Sequence, residues 1–187
     1  YDEAIELLRE AVELERLRGE NHSYVAYALK ELAKVYRNRG DLEEADRTFR
    51  EALRIYDIAL PEGGLYVAST RVNYGRLLYE RGDLAAAESQ LRRGVDIYRE
   101  RLPEGATARW RAEMSLGMVL GALERYDEAE SLLVGAYRVT TTGEEPNERG
   151  ASFVAYELVR LYEAWGRPEA AEPYREDARR HEDGRGD

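Results

Sequence analysis

Cysteine is absent from the 187 residues. That removes disulfides, thiolate metal sites and cysteine nucleophiles together, and it fits a reducing, cytoplasmic setting. Histidine is almost absent: His22 lies in a Gly-Glu-Asn-His turn, His181 lies near the C-terminal end, and neither belongs to a catalytic motif. Without a nucleophile beside a base and an orienting group, catalysis is not expected. Spaced His and carboxylate ligands are missing, as is a glycine-rich phosphate loop, so neither metal nor cofactor is expected. No apolar run approaches the ~20 residues of a membrane-spanning helix, and no signal-like segment is present. The chain opens at Tyr1 in mid-pattern, so further repeats and a targeting signal upstream remain an expectation. Lysine is scarce too, with only Lys30 and Lys34 among 28 basic residues; such arginine usage suggests a GC-rich, bacterial source. A net charge of −10 argues against a nucleic-acid surface, which needs a basic stripe to displace counterions.

What is present is repetition. YDEAIELLREA at Tyr1 returns as YDEAESLLVGA at Tyr126, with LEEADRTFREA from Leu42, LAAAESQLRRG from Leu84 and PEAAEPYREDA from Pro168 in the same register. The aligned alanines Ala4, Ala45, Ala87, Ala129 and Ala171 are 41, 42, 42 and 42 residues apart. Seven residues further on stand Ala11, Ala52, Gly94, Ala136 and Ala178. A fixed period with small residues in register predicts a solenoid. Each period holds two amphipathic stretches. Leu29, Leu32, Ala33 and Tyr36 share one face, and Ala45, Phe49, Ala52, Leu53 and Tyr56 share another. Gly40 suits the left-handed end of the first helix. Asp41 and Glu44 suit a capping box for the second, and Pro168 suits a first helical position. The expected architecture is an all-α superhelix of about nine antiparallel-packed helices, each roughly 16 residues long. An outer helix at 1–18 precedes pairs at 23–59, 66–101, 107–140 and 150–181, with a tail at 182–187.

This pattern resembles the tetratricopeptide repeat in its 42-residue, kinesin-light-chain-like form, for which LAKVYRNRGDLEEADRTFREALRIY is nearly a consensus copy. LPEGG (Leu60 to Gly64), LPEG (Leu102 to Gly105) and GEEPNE (Gly143 to Glu148) stand where that family has its linkers. The closing LVRLYEAWGRPEAAEPYRE resembles the ends of arrays attached to bacterial serine/threonine kinases.

The two ends differ. In the last helix Arg175 and Arg179 replace apolar residues, as a polar cap requires. HEDGRGD reads as a frayed tail, in which Arg185-Gly186-Asp187 is a coincidental tripeptide. In the first helix Ile5 stands in a column otherwise held by Asp46, Glu88, Glu130 and Glu172. Ile5, Leu7, Leu8 and Val12 are therefore expected to expose an apolar strip that meets upstream repeats or a second copy in a homodimer.

The resemblance implies that the first helix of each pair lines a ligand groove. Counting back from the packing alanines, the groove columns hold Lys34, Arg76, Met118 and Arg160 (eleven before) and Lys30, Val72, Met114 and Tyr156 (fifteen before). Tyr27, Ser69, Arg111 and Phe153 stand eighteen before, and Arg37, Tyr79, Gly121 and Glu163 eight before. Both lysines and both methionines of the chain fall in two of these columns. A cationic, aromatic and methionine-bearing groove suggests an acidic peptide with apolar anchors; the plain alternative is a set of ordinary exposed helix positions. Matched to the carboxylate clamp of co-chaperone members of the family, Lys30, Asn73 and Arg111 fit, whereas Lys34 replaces an asparagine and Ser115 a basic residue. The expected function is a non-enzymatic protein–protein interaction scaffold. The alternatives are a ligand- or signal-peptide-sensing domain of a bacterial kinase or transcription regulator, and a self-assembly module.

Overall fold

Small residues placed where two helices cross decide how closely those helices approach, and they organise the fold. A computed structural model describes residues 1–60, 63–142 and 146–183. Among these every regular element is helical: α1 (Asp2–Arg16), α2 (Ser23–Arg39), α3 (Leu42–Ala59), α4 (Leu65–Glu80), α5 (Leu84–Arg101), α6 (Thr107–Ala122), α7 (Tyr126–Thr142), α8 (Glu148–Ala164), a 3-10 segment (Pro168–Tyr174) and α9 (Arg175–Asp183). The linker residues 61–62 and 143–145, and the tail residues 184–187 with their Arg-Gly-Asp sequence, lie outside the described residues.

The chain divides into two compact units, Tyr1–Arg101 and Leu102–Asp187. In the first, α1 lies against α2, α2 pairs with α3, α3 abuts α4 and α4 pairs with α5. In the second, α6 pairs with α7, α7 abuts α8, and α8 packs on both the 3-10 segment and α9. Ala45, Ala87, Ala129 and Ala171 have no exposed surface. Opposite them the first helices also carry small residues: a Cβ added to Gly75 would stand 2.6 Å from Leu91 Cγ, and one on Gly117 would stand 2.9 Å from Leu133 Cγ. The hydrogen side chain is what allows α4 to rest on α5 and α6 on α7.

Within each unit, neighbouring pairs are also joined by phenols. The Tyr74 hydroxyl donates to Asp46 Oδ1 at 2.8 Å and accepts from Arg50 Nε at 2.9 Å. The Tyr162 hydroxyl donates to Glu130 Oε1 at 2.7 Å. At Asp46 and Glu130 the acidic column therefore faces the next helix, whereas Glu172 at the last repeat is exposed. This corrects the expectation for α1: Ile5, in the same column, and Val12 are each 4% exposed, packed beneath α2. Leu8 is half-buried and Leu7 is exposed.

Two turn expectations also need correcting. Gly40, Gly82 and Gly166 take left-handed φ values of +95°, +80° and +72°, and Glu124 holds the corresponding turn at +61°. Asp41, however, makes no side-chain cap on α3, because its carboxylate is drawn onto the Arg39 guanidinium; at the equivalent turn Asp83 Oδ1 does accept from Ala86 N, at 3.2 Å. The last helix is not continuous either. Pro173 lacks a backbone donor and its ring crowds the preceding turn, so residues 168–174 wind as 3-10 before α9 begins. An aromatic ladder anchors this segment: Tyr126 stacks on Trp165 at 5.5 Å, Tyr162 stacks on Tyr174 at 6.0 Å, and Tyr137 meets Tyr174 edge-on at 5.0 Å.

Candidate peptide-binding surfaces

In the first unit the candidate residues come from α2 and α4. Lys30 is buried, and its ammonium lies 2.7 Å from Glu31 Oε1 and 4.2 Å from the Tyr27 ring centroid. Lys34 reaches the other Glu31 oxygen at 2.6 Å. Burial pushes the Glu31 carboxyl up, but hydrogen bonds from both lysines outweigh it and hold the group below the ordinary carboxylate range. One carboxylate thus serves both lysines, and Lys30 is a packed side chain rather than an open groove cation. The Asn73 amide nitrogen donates back to Ser69 O at 2.8 Å, which spends it on its own helix. Arg76 and Tyr79 are half-buried.

Arg37 stands three residues beyond Lys34, on the same side of α2. Its Nε is 3.9 Å from Glu80, its side chain is 12% exposed, and its Nη1 is buried with no acceptor. The other terminal nitrogen, Nη2, donates to Asn38 Oδ1 at 3.4 Å.

Tyr27 is exposed and meets Tyr66 edge-to-face at 5.7 Å. Tyr24 and Tyr66 are both more than half exposed. They stand 42 residues apart, each 21 before its packing alanine, in a column outside the four offsets expected to line the groove; the shared period was the available signal. Beneath them Tyr56 is buried, and burial raises its phenol well above the ordinary value.

In the second unit Arg111 is exposed, Met118 half-buried and Met114 buried. The column fifteen before the alanine is therefore a packing column at both Lys30 and Met114, whereas the column eleven before it reaches the surface. Ser115, at a clamp position, is buried with its hydroxyl donating to Arg111 O at 2.9 Å. Phe153 and Tyr156 are half-buried beneath the His181 ring at 4.9 and 5.2 Å. His181 thus belongs to α9 rather than to a frayed tail. Arg160 is exposed, 3.3 Å from Glu157 Oε2. A shallow recess of about 300 Å³ is lined by Tyr156, Arg160, Glu163, Arg175 and Arg179. A recess of about 950 Å³ beside Pro103, Trp110 and Asn147 lies on none of the groove columns. Among the described residues no cluster of three metal-ligating side chains occurs, and no helix is long and apolar enough to cross a membrane.

Helix pairs of 42 residues, small-residue crossings and left-handed turns between the pair members define a tetratricopeptide-repeat protein. More narrowly, the family model described as the MalT-like TPR region matches residues 1–184, and the chain belongs to that family. Solved structures agree on the fold. BtubC (BKLC) from P. vanneervenii is similar with a TM-score of 0.83 at 19% identity, covering 97% of this chain and 72% of that one. A Podosopora anserina putative kinesin light chain with nearly identical TPR-like repeats gives 0.76 at 22% identity over 97% and 86%. YrrB, a TPR protein described as having an unusual peptide-binding site, gives 0.62 at 20% identity over 93% and 80%. No curated protein matches by sequence.

Proposed function

We propose that the chain is a non-catalytic, cytoplasmic bacterial interaction module that captures an acidic peptide segment along the first helices of its pairs. The observation that carries this reading is the patch on α2 and α4 where the part-exposed Lys34 and the exposed Tyr27–Tyr66 pair reach the surface. A partner carboxylate would pair with the Lys34 ammonium, and the exposed Tyr27–Tyr66 pair, about two turns back along α2, would hold an apolar or aromatic anchor. A peptide-binding site described for the similarly folded YrrB is consistent with this use of the fold. The test is a peptide-library screen at low and moderate salt, with a Lys34→Glu/Arg37→Gln variant alongside. Acidic peptides should bind the parent, weaken with salt and fail on the variant. Equal binding by the variant would overturn the assignment. Loss of binding on amidating a ligand's C-terminus would establish a carboxylate clamp.

The alternative, a ligand-sensing regulatory domain, draws on the 300 Å³ recess of the second unit. Arg179 forms no ion pair there among the described residues, while Arg160 is held by Glu157 and Arg175 by Glu163 and Glu172, so Arg179 is the side chain an anionic ligand would meet. Citrate that raises the melting temperature of the parent but not of Arg160→Gln/Arg179→Gln would favour this reading.

A further inference from the structure

A buried arginine interrupts a packing column of the repeat. Sixteen residues before the packing alanine stand Leu29 in α2, Glu113 in α6 and Ala155 in α8, but Arg71 in α4. Arg71 is 5% exposed. Its Nη1 donates to Gln90 Oε1 of α5 at 3.0 Å, and its Nη2 donates to Asp57 Oδ1 of α3 at 3.2 Å. Asp57 is a weak counterion, because it meets one nitrogen only and its own side chain is 64% exposed. Leu29, 3% exposed in the same column, shows that the fold itself asks for no cation here.

A second arginine departs from the pattern in the same repeat. Six residues after the packing alanine, α1, α3 and α9 carry Glu10, Glu51 and Asp177, whereas α5 carries Arg93. Arg93 follows Gln90 by one turn on the same helix face, which is the face that meets Arg71. It is exposed and, among the described residues, forms no ion pair. Burial, and then the Arg93 charge, hold the Arg71 guanidinium below its ordinary range by more than Asp57 restores. Two cations thus share one loosely held carboxylate. The spot faces the second helices α3 and α5, about 140° around α4 from Tyr66 and Arg76. It stands apart from the peptide groove and does not depend on it.

The charge of the pair selects the ligand. A phosphate monoester brings nearly two negative charges at neutral pH and three acceptor oxygens, and guanidinium forks match those oxygens in pairs. A carboxylate brings one charge, which Asp57 already supplies. We propose that Arg71 and Arg93 form a phosphoryl-binding site between α3 and α5. The phosphoryl group takes the place of Asp57 on Arg71 Nη2 while Gln90 keeps hold of Nη1.

The test titrates the full chain with inorganic phosphate and with the tripeptide glycyl-phosphoseryl-glycine, read by isothermal calorimetry. Ionic strength is held constant with chloride, and acetate is the carboxylate control. Arg71→Leu installs the residue that α2 has in this column, and Arg93→Gln alters an exposed side chain. Both variants should fold, as circular dichroism melts will verify. The parent should bind phosphate or the tripeptide at one to one, and each variant should weaken binding at least about tenfold. Asp57→Asn vacates the competing carboxylate and should tighten binding about threefold or more, a gain that a purely structural Arg71 would not give. Tighter binding of the tripeptide supports the site and assigns the phosphoryl group to a modified partner; tighter binding of inorganic phosphate supports it and assigns a small molecule. No saturable binding by the parent, unchanged binding by Arg93→Gln, or no gain in Asp57→Asn would overturn the site. Acetate that binds as tightly as phosphate would overturn the phosphoryl class.

Discussion

Replacing Gly75 with alanine and Gly135 with alanine makes one chemical change at two helix-interior positions, and the two should move stability in opposite directions. Alanine favours a helix over glycine by about 1 kcal/mol. At Gly135 in α7 nothing lies within 4 Å of the position a Cβ would take, so the whole gain should appear. At Gly75 in α4 the Cβ would stand 2.6 Å from Leu91 Cγ and 3.2 Å from the Ala87 carbonyl oxygen. Carbon atoms rest at about 3.5–4.0 Å, so the overlap is about 1 Å. Leu91 is fully buried, and the atom met is its branch carbon rather than a swinging end. Either α4 must lift from α5 or Leu91 must leave its rotamer, at a cost of about 1–3 kcal/mol. Set against the propensity gain, the net effect at Gly75 is a loss of up to about 2 kcal/mol.

Scanning calorimetry resolves this, because 1 kcal/mol moves the melting temperature by roughly 2–4 °C in a chain of this size. Gly135→Ala should melt about 2–4 °C higher than the parent and Gly75→Ala lower. Adding Leu91→Ala to Gly75→Ala should cost less than the two single losses together, since neighbours that share one clash are not additive. If Gly75→Ala melts as high as Gly135→Ala, the close approach of α4 to α5 is not real, and the account of the alanine and glycine columns fails with it.

Glu124 holds a turn position where three equivalent residues are glycine, and left-handed φ costs a side-chain-bearing residue about 1–2 kcal/mol; Glu124→Gly should therefore raise the urea midpoint, and a lowered midpoint would refute the strain. Trp165 stacks on Tyr126 at 5.5 Å with the Arg167 guanidinium 3.7 Å from its ring centroid, so Trp165→Ala should destabilise by roughly 2–3 kcal/mol, measured in urea, and a change below about 0.5 kcal/mol would discount the ladder. The Tyr137 phenol is pushed up to about 12, chiefly by burial and then by its 2.6 Å hydrogen bond to Asp177. A pKa raised on folding adds stability that is complete below the unfolded value near 10 and is lost as pH climbs toward 12. Melting temperature should thus fall across that window more steeply for the parent than for Tyr137→Phe, and equal slopes would refute the linkage. Glu31→Gln frees both lysines of their shared carboxylate, so acidic peptides should bind roughly threefold or more tightly, with a steeper salt dependence; unchanged affinity in a titration would argue against an acidic ligand.

The packing columns were legible in the sequence because close helix crossings admit only small residues, and a 42-residue step cannot place alanine and glycine there by accident four times over. The columns facing the groove were only partly legible. An offset from the alanine gives a side chain's direction around its helix, but not how far the next pair overhangs it. Lys30 and Met114 were read as surface residues for that reason, and both are buried. The same limit misplaced Ile5, whose column looked polar because Asp46 and Glu130 fill it, although these acids turn inward to receive phenols. Local competition was hidden as well: Asp41 had every credential of a helix cap until Arg39, two residues away, took its carboxylate.

Charge at a binding surface is the hardest quantity to read in this way. Lys30, Glu31 and Lys34 are near neighbours in the chain, and a helical wheel separates Glu31 from Lys30 by about 100°, more than a quarter of a turn. In space the long side chains close that angle, and two cations collapse onto one carboxylate. Arg37 shows the converse, since its own turn offers no acceptor for Nη1 and Glu80 from α4 stays 3.9 Å from its Nε. A column of basic residues therefore identifies a face, and only the acids folded beside it determine which of those bases remains available to a ligand. On α2 that acid is Glu31, which holds the buried Lys30 and the part-exposed Lys34 together.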